Sequence, residues 1–125
     1  MYPRYGLTSI FFLLFFSILD AQPKYEFRGV WMATVDNIDW PSSKYLATDS
    51  QKTEFIHLLD MHQRNGMNAI IAQIRPATDA FYPSQYEPWS EWLSGTQGQP
   101  PVPYYDPLEF MIAETPYFFC EFQLS

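Results

Sequence analysis

The chain is poor in the residues that build metal centres, disulfide frameworks and phosphate cradles. Its 125 residues include one cysteine, two histidines and five glycines. A single cysteine excludes an internal disulfide, and Cys120, with no basic neighbour in sequence, reads as an inert thiol. His57 and His62 fall in a helical stretch at a spacing that points them to different faces, which argues against a shared metal. No nucleophile elbow occurs. Gly95 and Gly98 stand in a polar loop with no helix start behind them, so no phosphate-binding loop is read either. Nothing in these patterns calls for a cofactor or a metal.

Positive charge is also scarce. Lys and Arg total 7 against 14 Asp and Glu, a formal charge of −7. Such a chain repels phosphate backbones, and no local basic cluster offsets this, so nucleic acid is excluded as a partner. An apolar run of membrane length is missing too. The run Leu7–Leu19 falls short of the roughly 20 residues that a helix needs to cross a bilayer. With Arg4 before it and Ala21 after it, it fits a signal peptide over residues 1–21. The expectation is a secreted or periplasmic protein with no stable membrane span after cleavage.

What the chain has in quantity is apolar and aromatic surface. It is 47% hydrophobic and 19% aromatic, enough for a packed core. Glu26–Val35 (EFRGVWMATV) reads as a strand, with apolar or small residues on both parities as in a parallel sheet covered on both faces. Residues 36–43 have turn composition. Thr48 and Gln51 match a capping box. The helix behind them should run to about Asn65, with Phe55, Leu58, Leu59 and His62 on one face and Gly66 as its stop. Met67–Ile74 is a second strand, closed by Arg75-Pro76. Strand, helix, strand is a βαβ unit.

A long proline-rich loop follows from Ala77 to about Tyr105. It far exceeds the usual 2–6 residues of a βα connection, so it is either an elaborated functional loop or a disordered stretch. Asp106 and Pro107 then open a second helix as N-cap and N1 residue. Pro116 interrupts that helix, and residues 117–125 form an aromatic run without turn signals. A third strand is one reading of this run.

Three stretches carry a resemblance: EFRGVWMATVDNIDWP (Glu26–Pro41), FIHLLDMHQRNGMNAIIAQIRPATDAFYPSQYEPWSEWLSGTQG (Phe55–Gly98) and YYDPLEFMIAET (Tyr104–Thr115). Together they closely resemble the start of the glycosyl-hydrolase-like 10 domain, a family of exported bacterial proteins. The resemblance implies a (β/α)8 barrel of TIM type, whose first βαβα portion is read above. It also implies action on glycan strands, including those of the cell wall. A full barrel takes about 250 residues, so the chain is expected to be an incomplete N-terminal portion. The expected division is a signal peptide (1–21), the first part of the barrel domain (22–115) and an aberrant C-terminal tail (116–125), which departs from the family pattern at Pro116. A glycan is the expected partner of the full-length protein.

In a barrel the active face lies at the C-terminal ends of the strands. Asp36 and Asn37 follow the first strand, and Arg75 and Asp79 follow the second. Each has a structural alternative: Asp36 and Asp39 as turn caps, Arg75 as a partner of Asp79. Glycosidases hold two carboxylates about the scissile bond, and in related barrels these come from later strands. The catalytic pair is therefore expected outside this chain, which alone lacks it. The aromatics Trp40, Tyr82, Trp89 and their neighbours fall in the loops leaving the strands, where ring faces can stack on sugar C–H faces. Their structural alternative is packing of the loop onto the barrel. The substrate-binding candidates are thus Asp36, Asn37, Trp40, Arg75, Asp79, Tyr82 and Trp89. A second reading of the same residues is a noncatalytic glycan-binding barrel that has kept an aromatic cleft and lost the acid pair.

Overall fold

A computed structural model of the chain describes residues 26–116 and the backbone of 119–124. The signal-peptide expectation for residues 1–21 and the reading of the Cys120 thiol lie outside the described side chains.

Strand β1 is Gly29–Met32, a 3-10 turn covers Val35–Asn37, and helix α1 is Thr48–Arg64. Strand β2 is Ala69–Arg75, α2 is the single turn Glu91–Ser94, α3 is Pro107–Glu114 and β3 is Phe119–Leu124. The strands form one parallel sheet in the order β1-β2-β3. Val30 is in register with Ile70, Trp31 with Ile71 and Met32 with Ala72. The backbone of 119–124, where a tail was expected, thus continues the sheet beside β2.

Strand β1 is shorter than its sequence predicts. The chain leaves extended geometry because Thr34 and Val35 donate their N–H groups to the Gln73 side chain and because Asp39 Oδ2 takes the Ala33 N–H at 2.8 Å. Among the described residues one face of the sheet is covered. Met32, Ile70, Ala72 and Ile74 face the helices and join Phe55, Leu59 and Met111 in the core. On the other face Trp31 is 44% exposed, and Ile71, Gln73 and Arg75 are half-buried.

Helix α1 turns Thr48, Gln51, Phe55 and Leu59 inward, a stripe at the 3–4 residue spacing of a helix face. Leu58 and His62 are half-buried beside it, while Ile56 and Met61 are exposed. The capping box does not form. The N-cap is Ala47, with no side-chain cap, Thr48 Oγ1 donates to Pro103 O at 2.9 Å, and Gln51 is used elsewhere. At the other end Gly66 adopts φ +79°, the left-handed conformation that glycine reaches without a Cβ clash. The Asn68 side chain then ties the start of the sheet, accepting from Arg28 N at 2.8 Å and donating to Glu26 O at 2.7 Å.

The long loop is folded. Ala80 bridges Trp89, Ala80 N donates to Pro88 O and Ser90 N donates to Ala80 O, both at 2.9 Å. Phe81 and Leu93 leave it for the core, fully buried. Helix α3 opens as its sequence predicts: Asp106 Oδ1 accepts from Leu108 N and Glu109 N at 3.0 and 3.2 Å, with Pro107 first in the helix.

Candidate functional site

The C-terminal ends of β1 and β2 are clasped together. Gln73 Oε1 accepts from Thr34 N (3.1 Å) and Val35 N (3.2 Å), and Thr34 Oγ1 donates back to Gln73 O at 2.7 Å. The clasp sets up a turn in which Asp36 and Asn37 both have positive φ, 54° and 53°. Short polar side chains tolerate this left-handed region better than most. Asn37 Nδ2 donates to Pro41 O and Trp92 O, each at 2.8 Å, and so pins the first loop to α2. Asp39 is a turn cap. Asp36 is exposed and makes no hydrogen bond among the described residues.

Beside Asp36 lies an ion pair, Lys44 Nζ to Glu91 Oε2 at 2.9 Å. The Lys44 ammonium also stands 5.3 Å from the Trp92 ring centroid and 5.7 Å from that of Tyr45. The hydrogen bond that Lys44 donates to Glu91 raises the Lys44 pKa above its ordinary value; desolvation opposes this, and the charges of Glu91, Tyr45 and Asp36 add to it. The cation is therefore retained across the physiological range.

A second pair closes the end of β2. Arg75 Nη2 meets Glu87 Oε1 at 2.8 Å, with both side chains about three-quarters or more buried. Glu87 Oε2 accepts from Ser84 Oγ. The partner of Arg75 expected from sequence, Asp79, is not the one it takes. Asp79 is 1% exposed; its Oδ1 accepts from Ala77 N at 3.2 Å, and its Oδ2 has no hydrogen-bond partner among the described residues. The turn that buries it includes Thr78 at φ 55°.

The aromatics divide into two sets. Trp40 is fully buried, packed edge-on to Phe55 at 5.6 Å and tilted against Phe81 at 6.1 Å. Its Nε1 donates to Gln51 O at 2.8 Å. A sugar has no access to Trp40 in this structure; its ring is core. Tyr82 and Trp89 are half-buried against the core, and Trp89 meets Tyr104 edge-on at 6.2 Å. Tyr45, Tyr86 and Tyr104 are exposed rings of the loops, and Phe27 and Trp31 are exposed at β1.

The sequence reading gave Gln51 a capping role and missed the one it has. It is 1% exposed, donates from Nε2 to Leu46 O and Leu93 O, each at 2.8 Å, and accepts from Tyr105 Oη at 2.7 Å. One amide thus joins the first loop, α2 and the chain before α3. Burial pushes the Tyr105 phenol well above its ordinary value. The available signal was a glutamine four residues before Phe55, in line with the apolar stripe. Lys44, Glu87 and Glu91 were also missed as rim charges, since each is defined by a partner far away or across a turn. Of the residues singled out from sequence, the structure gathers Asp36 and Asn37 at one end of the rim and Arg75 at the end of the neighbouring strand. Trp40 and Asp79 lie beneath the surface.

The model of the glycosyl hydrolase-like 10 family matches residues 26–117. The chain belongs to that family. Its relatives include the glycosyl hydrolase YngK of Bacillus subtilis, 59% identical over 96 residues, which cover 77% of this chain and 18% of the relative. The glycosyl hydrolase DigH of Escherichia coli K12 is 38% identical over 100 residues, covering 74% of this chain and 22% of its own length. This glycosyl hydrolase-like 10 chain therefore spans about a fifth of the length of the relatives it matches. Among its described residues no helix is long and apolar enough to cross a membrane, and no group of three or more His, Cys, Asp or Glu is placed to hold a metal.

Proposed function

We propose that the chain forms the opening strands and helices of a (β/α)8 barrel in an exported glycoside hydrolase acting on a polysaccharide or cell-wall glycan. Membership of the glycosyl hydrolase-like 10 family is the observation that carries this reading. The parallel sheet and the long folded loop at its C-terminal edge support it, because that edge is where barrel enzymes bind substrate. In this reading residues 22–115 belong to the barrel and residues 1–21 direct export. Asp36, Asn37, Arg75, Tyr82 and Trp89 contribute to the glycan site, with Trp40 and Asp79 supporting the rim from below.

Hydrolysis would proceed by general acid catalysis with a second carboxylate acting as base or nucleophile. Both groups come from later strands. One observation favours a binding role for this part: Glu87 and Glu91 are each already engaged in an ion pair, with Arg75 and Lys44. A noncatalytic glycan-binding barrel is the second reading on the same ground.

The test is a chimera in which residues 26–115 of this chain replace the matching stretch of the Bacillus subtilis relative. Release of reducing ends from cell-wall glycan or plant polysaccharide is expected. A folded chimera that binds glycan without cleaving it favours the second reading. One that neither binds nor cleaves any glycan that the parent cleaves overturns both.

A further inference from the structure

Beyond the rim, a groove of about 410 Å³ runs between the first loop and the segment after α2, lined among others by Tyr45, Leu46, Ser94, Thr96, Gln99 and Pro101. We infer that this groove is a saccharide subsite, with the Tyr45 ring as its stacking platform. The inference rests on the glycan reading above and names a place for the polymer that the rim residues do not supply. Its volume lies within the roughly 300–1,000 Å³ of small-ligand sites.

Tyr45 is unusual in being 79% exposed and yet held. Its ring lies against Gly95, where an added Cβ would come within 3.1 Å of both Cδ1 and Cε1. Gly95 closes α2 at φ +84°, so both its conformation and its missing side chain make room for the ring. The Lys44 ammonium, anchored on Glu91, stands 5.7 Å from the ring centroid and restrains it further. A flat apolar surface is thus offered to solvent with little rotamer entropy left to lose, which is what stacking on the C–H face of a pyranose requires.

The walls are fixed as well. Gln51 bonds to Leu46 O on one wall and Leu93 O on the other, Asn37 bonds to Trp92 O, and Thr48 Oγ1 donates to Pro103 O. Ser94 Oγ is held by Thr96 O at 3.0 Å. The side chains of Thr96 and Gln99 are exposed and make no hydrogen bond among the described residues, so a hydroxyl donor-acceptor and an amide remain for sugar hydroxyls. The one charge in the lining, Lys44, is paired with Glu91; with its other polar groups neutral, the groove suits an uncharged pyranose better than a phosphate or a peptide.

The experiment is a titration of the isotope-labelled full chain with chitotetraose and with cellotetraose, followed by amide shifts. Where the spectrum of the free chain lacks dispersion, the same titration is run on the chimera. Shifts at Tyr45, Gly95, Thr96 and Gln99 are expected. Tyr45→Ala should weaken binding about tenfold, and Tyr45→Trp should restore it. Shifts confined to Asp36, Arg75 and Trp89, with affinity unchanged in Tyr45→Ala, overturn the subsite and leave the glycan reading standing. No shift with either sugar in a folded protein also overturns the subsite, while hydrolysis by the chimera judges the glycan reading separately.

Discussion

Thr34 and Gln73 hold each other by both backbone and side chain: the Gln73 amide oxygen accepts the Thr34 N–H at 3.1 Å while Thr34 Oγ1 donates to Gln73 O at 2.7 Å. Thr34 is fully buried, so water cannot replace these bonds. The reciprocal arrangement is what lets β1 end and the rim turn begin at the same level as the end of β2.

Gln73→Ala should therefore destabilise the chain by about 1–3 kcal/mol, the cost of leaving buried N–H groups unsatisfied. The shift of the urea midpoint measures it. An unchanged midpoint would mean that the turn finds other acceptors.

Gln51→Leu removes three hydrogen bonds at once, to Leu46 O, Leu93 O and Tyr105 Oη. Its expected cost of about 3 kcal/mol exceeds the roughly 1 kcal/mol of Tyr105→Phe. In a double-mutant cycle the two should be strongly non-additive, because they share one bond. Additive losses would show that Tyr105 acts through packing alone.

Alkaline stability should depend on Tyr105. Its folded pKa is raised above the ordinary 10.0 by desolvation, so the neutral phenol is the form that folding favours. That contribution is full below about pH 10 and declines as pH rises above it toward the folded value. Melting temperature measured from pH 9 upward should fall less steeply in Tyr105→Phe than in the parent. Parallel profiles would remove Tyr105 from the account.

Arg75→Met leaves the Glu87 side chain three-quarters or more buried, without its ion partner and with Ser84 as its remaining hydrogen-bond partner among the described residues. A loss of about 1–3 kcal/mol is expected, and Glu87→Gln in the same chain should recover part of it. Recovery is read from the thermal midpoint. A double variant no better than Arg75→Met would show that Arg75 acts through contacts other than Glu87.

The order of elements was legible because it is written locally. Helical spacing from Phe55 to His62, Gly66 as a stop, and Asp106-Pro107 as a start each act within one or two turns, and each operates in the structure. The family was legible because long, uncommon strings survive intact. What could not be read depends on contacts across tens of residues. Gln51 fits a cap by its neighbours, yet its amide is spent on Leu93 and Tyr105. Trp40 sits in a polar loop sequence, yet that loop folds back and buries the ring on Phe55 and Phe81. Arg75 had Asp79 within four residues, but the turn through Thr78 sends Asp79 inward and leaves Glu87 as the ion partner.

Among the described residues the helices cover one face of the sheet, which makes residue parity a division of labour. From Ile70 onward, the even positions of β2 pack under the helices and the odd ones, Ile71 and Arg75 among them, look the other way. Substitutions on the two sets pose separate problems: the even set answers to the helices, the odd set to the face that a closed barrel would fill. A single inserted or deleted residue within the strand would exchange the two sets at a stroke, turning aliphatic side chains outward and sending a guanidinium into the core. Length in this strand is therefore under tighter constraint than composition.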